Sequence, residues 1–471
     1  MKPLGLEEVR DAIHGRWRAR GAAPAVRSVT TDSRSAKPGE LFFALRGERT
    51  DGHGFLRQAA EAGCSAAVVA RDAELPAGMD VAFAGGIIGV ADTTAALGEL
   101  AAYHRRRLGS TVVAVTGSNG KTTVKRMIHH ILSRRLTGTC SPKSFNNAVG
   151  VPLTLLAGSA GDDYVICELG TNAPGEIASL GEIARPDVAV ITSVAAAHLE
   201  KLGSIERVAA EKASILGALA GDGLGVVFGD SDVLARAVRP YDRRVIRFGV
   251  SEDADLRLTD YRPMDRRQRF ELNGRVWVDL PLPGRHNALN ALAALAVAQR
   301  FGFERQDAAA ALADFAAGDM RLEWIDARAG TVINDAYNAN PASLAAAVEV
   351  LSACRGARKV LVVGDMRELG DQAEPLHRQA GREMTGRGVD LLITVGRLGR
   401  YIAMGAAEVG LETESFDSSD AAGPQLRRLL REGDTVLVKG SRAMAMEELT
   451  APILAALGGE APPDGRKGPE R

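Results

Sequence analysis

The stretch Val112-Val113-Ala114-Val115-Thr116-Gly117-Ser118-Asn119-Gly120-Lys121-Thr122-Thr123 joins an apolar run to a segment with helical periodicity. The β-branched residues predict a buried strand, and the apolar spacing over residues 124–132 predicts a helix directly after the glycine-rich turn. Such a turn directs backbone N–H groups toward the N-terminus of the helix, where they can bind phosphate. The pattern therefore predicts a nucleotide-binding loop.

The residue types in this turn suit a nucleoside triphosphate. Gly117 and Gly120 let the backbone approach the phosphates, Lys121 can reach a terminal phosphate, and the Thr122 hydroxyl can bind Mg²⁺. Val115 stands where the usual P-loop pattern has glycine, so the turn is a shorter variant, and the alternative is a fortuitous turn before an ordinary helix. The residues predicted to contact the nucleotide here are Thr116, Gly117, Ser118, Asn119, Gly120, Lys121 and Thr122.

The composition limits the class of protein. The chain has 471 residues, of which 46% are hydrophobic, and this length predicts about three domains. The formal net charge of −1 differs from the basic excess that nucleic-acid-binding domains usually carry. The scattered residues Cys64, Cys140, Cys167 and Cys354 are typical of reduced thiols. No signal peptide or membrane-spanning run is evident, so we expect a cytoplasmic protein that neither binds nucleic acid nor inserts into a membrane.

Strand-like and helix-like segments alternate along the chain and predict an α/β protein with three domains. We expect a small α/β domain over 1–108, a central P-loop α/β domain over 109–318, and a doubly wound Rossmann-like domain over 319–458. Residues 459–471 are rich in glycine, proline and charge, which predicts a disordered tail.

Three local patterns lie outside the phosphate loop. Residues 255–279 alternate apolar and polar side chains and predict a β-hairpin appendage. The run Arg105-Arg106-Arg107 predicts a solvated helix end, with a functional basic patch as the alternative. The polar loops at 31–34 and 46–54 either hold a ligand or are ordinary turns.

Polar groups follow the strands beside the phosphate loop. Glu168 ends an apolar strand, where P-loop enzymes place the carboxylate that holds Mg²⁺. His198 follows the next such strand and could bind a second metal, although a lone histidine is more often structural. Asn287 and Asn290 lie on one face at the start of an alanine-rich helix, where they either cap the helix or contact a ligand.

In their order along the chain these motifs resemble those of the Mur ligases, three-domain ATP-dependent enzymes that form amide bonds in peptidoglycan precursors and are related to folylpolyglutamate synthase. The resemblance is carried by the 116–122 turn, Glu168, His198, Lys212, Gly284-Arg285-His286-Asn287, Arg321 and Asp335-Ala336-Tyr337-Asn338.

Within the family, four motifs are most similar to those of the member that joins D-alanyl-D-alanine to UDP-N-acetylmuramoyl-tripeptide. These motifs span residues 143–147, 168–172, 364–370 and 439–442. The sibling that adds the third amino acid carries an Asp-Asn-Pro-Arg motif, which this sequence lacks. We expect the D-alanyl-D-alanine ligase activity, through an acyl phosphate, with that sibling or a folylpolyglutamate synthase-like ligase as the alternative.

The resemblance implies catalytic and metal-binding roles. Lys121, Lys212 and His198 would be catalytic, and Lys212 would carry a carbamate. Two Mg²⁺ ions would be held by Thr122, Glu168, His198 and the modified Lys212.

The resemblance also implies the nucleotide and substrate contacts. Asn287 and Asn290 would bind adenine, and Arg321 and Asp335 would reach ATP when the domains close. The UDP moiety would lie against the first-domain residues Ser33, Arg34, Asp51, Gly52 and His53. Further substrate contacts would come from Asn146, Asn147, Tyr337, Asn338 and Asn340. We expect UDP-N-acetylmuramoyl-tripeptide and D-alanyl-D-alanine as substrates and a monomeric enzyme.

Two functions from other classes share only part of the pattern. A switch GTPase would carry an Asn-Lys-x-Asp motif after the loop, and the sequence contains none. A catalytically silent nucleotide-binding scaffold would be expected to lose Lys121, Glu168 or His198, and all three are present.

Overall fold

The computed structural model of the protein describes residues 3–47, 50–384 and 386–459. These residues form three α/β domains, each built on its own main sheet, so the predicted fold class is confirmed. The predicted tail at 459–471 lies, apart from Gly459, outside the described residues. Within the described ranges, no helix has both the length and the apolar character needed to span a bilayer.

The described residues of the first domain form seven strands and four helices. The strands are β1 (Leu4–Gly5), β2 (Arg16–Arg20), β3 (Ala25–Val26), β4 (Val29–Thr30), β5 (Leu41–Phe43), β6 (Ala66–Ala70) and β7 (Gly86–Val90). The helices are α1 (Leu6–Ala12), α2 (Leu56–Glu61), α3 (Met79–Ala82) and α4 (Thr93–Arg105). The main sheet has the order β2-β7-β6-β5-β4, with β2 antiparallel to β7 and the other pairs parallel.

The central domain contains nine strands in one sheet. They are β8 (Thr111–Thr116), β9 (Gly138–Cys140), β10 (Tyr164–Glu168), β11 (Val188–Ile191), β12 (Leu224–Phe228), β13 (Arg244–Gly249), β14 (Leu256–Met264), β15 (Arg267–Leu272) and β16 (Val276–Leu280). The order is β16-β15-β14-β13-β12-β11-β8-β10-β9. The strands from β9 to β14 pair in parallel, so the loops after β8, β10 and β11 meet at one edge.

Helices cover both faces of the central sheet. They are α5 (Lys121–Leu132), α6 (Gly150–Ala157), α7 (Glu176–Ala184), α8 (Leu199–Leu202), α9 (Ile205–Ala213), α10 (Asp232–Val238), α11 (Arg285–Arg300) and α12 (Arg305–Ala311). The predicted helix after the phosphate loop is confirmed as α5. Its apolar residues, including Val124, Ile128 and Ile131, are fully buried against the sheet.

In the described part of the third domain there are six strands and six helices. The strands are β17 (Glu323–Ala327), β18 (Gly330–Asp335), β19 (Arg358–Gly364), β20 (Leu391–Val395), β21 (Thr413–Phe416) and β22 (Asp434–Lys439). The helices are α13 (Pro341–Ala353), α14 (Ala373–Arg382), α15 (Gly399–Ala407), α16 (Ser419–Ala422), α17 (Leu426–Leu429) and α18 (Thr450–Ala456). The sheet order β17-β18-β22-β19-β20-β21 is parallel except for β17, as expected for a doubly wound domain.

The predicted β-hairpin is confirmed as β14 and β15, but its description as an appendage is wrong, because these strands belong to the central sheet. β14 pairs in parallel with β13, and β15 and β16 continue the same sheet as antiparallel strands. Phe270, Leu272 and Val278 are fully buried, so one face of this extension is part of the core. The alternation of apolar and polar residues predicted the strands, but it did not indicate that β14 pairs with β13.

The predicted solvated helix end is wrong for Arg105, the last residue of α4. Its guanidinium donates to Asp187 Oδ2 at 2.8 Å and to the carbonyl of Ala184 at 2.9 Å. A buried guanidinium is tolerated when oxygen atoms accept its N–H groups. Arg105 therefore joins the last helix of the first domain to the central domain, whose apolar core is continuous with that helix.

Candidate active site

The phosphate loop connects β8 to α5 and is fixed by the strand next to it. Gly117 and Gly120 have φ angles of 144° and 83°. A Cβ atom would overlap Thr192 Oγ1 at Gly117 and Asn290 Oδ1 at Gly120. The backbone N–H of Ser118 donates to the carbonyl of Ser193 at 2.9 Å. The loop therefore needs glycine at both positions to pack this closely.

Glu168 lies beside the phosphate loop, as predicted from the end of its strand. Its carboxylate is 1% exposed. It accepts hydrogen bonds from Thr122 Oγ1 at 2.8 Å and from Asn146 Nδ2 at 3.0 Å. A hydroxyl and a carboxylate in contact at the first turn of α5 form an oxygen donor set that suits Mg²⁺ bound together with phosphate oxygens.

Two lysines lie near the loop, Lys121 partly buried and Lys212 fully buried. Lys121 Nζ donates to the carbonyl of Gly117 at 2.7 Å, and burial lowers the pKa of this ammonium group. Lys212 is 0% exposed, and among the described residues its Nζ has no hydrogen-bond partner. Burial, together with the nearby charge of Lys121, puts the pKa of Lys212 well below its ordinary value. Lys212 is thus fully buried, whereas a lysine in a helix usually keeps its ammonium group in solvent.

The third domain contributes side chains to the same region. Arg321 Nη2 donates to Thr122 Oγ1 at 3.0 Å, and its guanidinium lies 3.7 Å from the centre of the Tyr337 ring. Lys439 Nζ donates to Asp335 Oδ2 at 2.5 Å and to the carbonyl of Asn338 at 3.1 Å. Arg321 therefore reaches the phosphate loop across the gap between the domains.

A second contact between these domains involves His198. Its Nδ1 atom lies 2.5 Å from Glu368 Oε2 of the third domain. The backbone N–H of Glu200 donates to the carbonyl of Glu368 at 3.1 Å. The close contact with His198 holds the pKa of the Glu368 carboxyl below its usual range. His198 thus faces the gap, with a carboxylate of the third domain opposite.

The adenine-binding candidates lie at the start of α11. Asn287 Nδ2 donates to the carbonyl of Pro283 at 2.7 Å, and Asn290 Nδ2 donates to Asn287 Oδ1 at 3.1 Å. Each asparagine is almost fully buried. These contacts orient both side chains at the phosphate loop, where Asn290 also approaches Gly120.

One cavity of about 1110 Å³ lies between the central and third domains. It brings together most of the predicted site residues: Ser118, Asn119, Gly120, Lys121, Thr122, Asn146, Asn147, Glu168, His198, Asn287, Asn290, Arg321, Asp335, Tyr337, Asn338 and Asn340. Thr116, Gly117 and Lys212 are not among its lining residues. Thr116 and Lys212 are fully buried.

The five predicted UDP contacts lie apart from this cavity, within the first domain. Ser33 Oγ donates to Gln58 Oε1 at 2.9 Å, and Arg34 pairs with Asp32. His53 Nδ1 lies 2.5 Å from Asp51 Oδ1, and its Nε2 accepts the N–H of Ala70 at 2.8 Å. Gly52 begins the 3₁₀ turn Gly52–Phe55. Both nitrogens of His53 are used inside the domain, and the UDP contact of this group stays a prediction.

Comparison with known proteins relates this geometry to a family. Three family descriptions match successive parts of the chain: "Mur ligase family, catalytic domain" over residues 25–105, "Mur ligase middle domain" over 115–298, and "Mur ligase, glutamate ligase domain" over 320–442. The UDP-N-acetylmuramoyl-tripeptide–D-alanyl-D-alanine ligase of Escherichia coli is 40% identical over 95% of this chain and 98% of its own length.

The chain belongs to the Mur ligase family.

Solved structures of similar proteins agree with the assignment of this chain to the Mur ligase family. MurF from Acinetobacter baumannii superposes with a TM-score of 0.87 at 32% identity, covering 97% of this chain and 99% of that one. MurF from Thermotoga maritima, solved in complex with ADP, superposes with a TM-score of 0.80 at 27% identity, covering 92% and 98%. Among family members the chain is most like the MurF enzymes.

The Mur ligase site contains a buried residue that the sequence reasoning missed, Lys125. It is 1% exposed, and its Nζ donates to the carbonyls of Ser141, at 2.9 Å, and Lys143. It also lies 3.3 Å from Glu168 Oε2. Lys125 follows Lys121 by one helical turn and lies on the same face of α5. This spacing was the sequence signal that could have placed Lys125 near the phosphate loop. It anchors both the Glu168 carboxylate and the loop that leads to Asn146.

Acid is expected to destabilise this Mur ligase through His286. Burial lowers the pKa of its imidazole to about 4, while Asp335 and Lys439 act in opposite directions. An unfolded histidine titrates near 6.5, so between about pH 6.5 and 4 the unfolded chain binds the additional proton and stability falls as the pH falls. His286→Gln should flatten the dependence of the urea midpoint on pH in this window.

The matched control for His286→Gln is His14→Gln, which changes an exposed histidine. It should leave the dependence of the urea midpoint on pH as in the wild type. If the His286 variant shows the wild-type slope between pH 6.5 and 4, the burial of a neutral imidazole does not explain the acid sensitivity.

Proposed function

We propose that this Mur ligase joins D-alanyl-D-alanine to UDP-N-acetylmuramoyl-tripeptide in peptidoglycan biosynthesis, converting ATP to ADP and phosphate. The observation that carries the proposal is full-length similarity to ligases of this activity, at 40% identity in the E. coli case. The cavity supports it, because a phosphate loop and the polar strand ends of the third domain face each other there. We also propose that the three domains span residues 1–108, 109–318 and 319–458.

The chemistry requires an activated carboxyl group. The tripeptide carboxylate takes the γ-phosphoryl of ATP and becomes an acyl phosphate, which releases ADP. The free amine of D-alanyl-D-alanine then attacks the acyl carbon, and the tetrahedral intermediate expels phosphate and loses a proton. Phosphoryl transfer between anions depends mainly on positioning and on charge neutralisation. Lys121 and Arg321 supply cationic groups from the central and third domains.

The residues present fit a first Mg²⁺ ion. Thr122 and Glu168 would hold it at the start of α5, where their oxygens are in contact. When bound, the ion would neutralise charge on the phosphate oxygens. Lys125 and Asn146 keep the Glu168 carboxylate in place for this task.

We further propose that Lys212 is carbamylated and, with His198, holds a second Mg²⁺ ion. The buried Nζ without a hydrogen-bond partner and with a strongly lowered pKa favours the neutral amine. That amine adds to the carbon of CO₂ and releases a proton, which converts a cationic side chain into an anionic oxygen ligand. Oxygen donors of this kind suit a hard divalent cation.

The remaining roles complete the proposed reaction. Asn287 and Asn290 bind adenine, and Asp335 reaches the nucleotide together with Arg321. The first domain holds UDP through the residues around Ser33 and Asp51. Asn146, Asn147, Tyr337, Asn338 and Asn340 contact the peptide substrates. We propose that the enzyme acts in the cytoplasm, where ATP and UDP-linked precursors are made, and that it works as a monomer.

Phosphate release from ATP and Mg²⁺ tests the function, with UDP-muramoyl-tripeptide and D-alanyl-D-alanine supplied together and separately. We expect phosphate only when both are present, with a UDP-muramoyl-pentapeptide in the mass spectrum. Lys121→Met should show neither product. Activity with a UDP-muramoyl-dipeptide and a diamino acid, or with a folate and glutamate, would instead assign the chain to a sibling ligase.

A further inference from the structure

A reciprocal pair of side-chain hydrogen bonds joins the phosphate loop to the third domain. Asn340 Nδ2 donates to Asn119 Oδ1 at 2.8 Å, and Asn119 Nδ2 donates to Asn340 Oδ1 at 3.2 Å. We propose that this pair, the amide clasp, sets the register of the third domain on the phosphate loop. Asn340 would then be a positioning residue for ligation, an inference that rests on the proposed function.

The Asn119 half of the clasp is held by the central sheet. Its backbone N–H donates to Ser193 Oγ at 2.9 Å. Its carbonyl accepts hydrogen bonds from Thr192 Oγ1 at 2.5 Å and from Ser193 Oγ at 3.1 Å. The backbone of Asn119 is therefore fixed by the residues after β11, and its side chain extends to the third domain from a defined position.

The Asn340 half is held by the start of α13. Asn340 is 7% exposed and caps this helix, with Oδ1 accepting the N–H of Ser343 at 2.9 Å. The N–H of Asn340 donates in turn to Ser343 Oγ at 3.0 Å, and Pro341 is the first helical residue. A backbone N–H can only donate, so the amide oxygen of Asn340 must face Ser343, which fixes its NH₂ group toward Asn119.

The clasp lies next in sequence to groups proposed to act on ATP. Asp335 precedes Asn340 by five positions, and Tyr337, three positions before Asn340, stacks under Arg321, which reaches Thr122. A shift of the 335–340 turn would therefore move Arg321 relative to the phosphate loop. Misplacement by about 1 Å can reduce the rate of an enzyme by up to about a hundredfold. The clasp restricts this movement through two partly buried hydrogen bonds.

Asn340→Ser tests the clasp while keeping the helix cap. Serine is a good N-cap residue but is too short to reach Asn119. We expect kcat for ligation to fall about tenfold, as for the loss of two neutral hydrogen bonds, with the thermal midpoint nearly unchanged. The Kd for ATP without the other substrates should stay within about twofold of wild type, because the phosphate loop is intact.

A double-mutant cycle with Asn119→Ser isolates the pair. In the Asn119→Ser background, Asn340→Ser should reduce kcat by less than about twofold, because its partner is already absent. The clasp is not the positioning contact if the falls in kcat caused by the two single substitutions multiply in the double variant. The same conclusion holds if Asn340→Ser alone has the wild-type kcat. Asn340→Asp keeps the cap but sets an acceptor-only carboxylate oxygen against Asn119 Oδ1, so it should lower kcat at least as much as serine does.

Small-angle X-ray scattering measures the domain arrangement independently of ligase activity. With a non-hydrolysable ATP analogue, Asn340→Ser should have a larger radius of gyration than the wild type. An identical radius of gyration for the two proteins would contradict the proposed role of the amide clasp. Absence of ligation by the wild-type enzyme would instead overturn the proposed function, so failure of the two ideas can be told apart.

Discussion

Lys212→Ala is expected to lower kcat for ligation by about a hundredfold or more. The change removes the proposed carbamate, and loss of one electrostatic group that stabilises a transition state usually costs about 10²–10³ in kcat. Small carboxylates such as formate or acetate should restore part of the activity by placing an anion in the space that the side chain leaves. The measurement is steady-state phosphate release at increasing carboxylate concentration.

The control is Lys201→Ala, which changes an exposed lysine in α8 and should leave kcat unchanged with no response to carboxylates. A direct readout is the ¹³C NMR spectrum of protein equilibrated with labelled bicarbonate, in which the wild type should show a carbamate resonance that Lys212→Ala lacks. Wild-type activity in Lys212→Ala would show that the reaction needs no carbamate at this position.

Arg321→Ala is expected to lower kcat by about a thousandfold, in the range found for arginine residues that neutralise charge in phosphoryl transfer. The guanidinium crosses from the third domain to Thr122 and stacks on Tyr337, so its loss removes both a charge and a planar contact. ATP binding to the free enzyme should change little, because the phosphate loop belongs to the central domain. Equilibrium nucleotide titration and single-turnover phosphate release separate these two effects.

Arg321→Lys should recover only part of the rate, because an ammonium keeps the charge but neither stacks nor donates from a planar fork. Arg328→Ala, at an exposed arginine after β17, is the matched control and should behave as the wild type. A loss for Arg321→Ala that appeared entirely as weaker ATP binding would place this residue in ground-state binding rather than in the transfer step.

The centre of the fold could be predicted because its signals are local. Strand, glycine turn, lysine, hydroxyl and helix follow one another within 21 residues, from Val112 to Leu132, and the structure shows them as β8 and α5. Glu168 could be placed because parallel strands bring their carboxyl ends to the same edge, and Glu168 is paired with Val115 of β8.

The features that sequence reasoning missed depend on partners distant in the chain. Lys125 and Arg105 are both buried, and the oxygens that make this possible lie 16 to 82 positions away. A charged side chain in a helical pattern predicts solvent exposure unless such partners are known. β14 was predicted as part of an appendage because its parallel pairing with β13 leaves no periodic signal. The side-chain pairing of Asn119 with Asn340 spans 221 positions and could not be read from either motif.

The tight packing of the phosphate loop has a consequence for antibiotic resistance. At Gly117 and Gly120 any side chain would overlap Thr192 or Asn290, and both backbones adopt φ angles that favour glycine. A substitution there that excluded an inhibitor would also distort the groups that we propose to bind the nucleotide. We expect an inhibitor resting on these two glycines to select resistant clones with changes elsewhere in the cavity, and seldom at the glycines themselves.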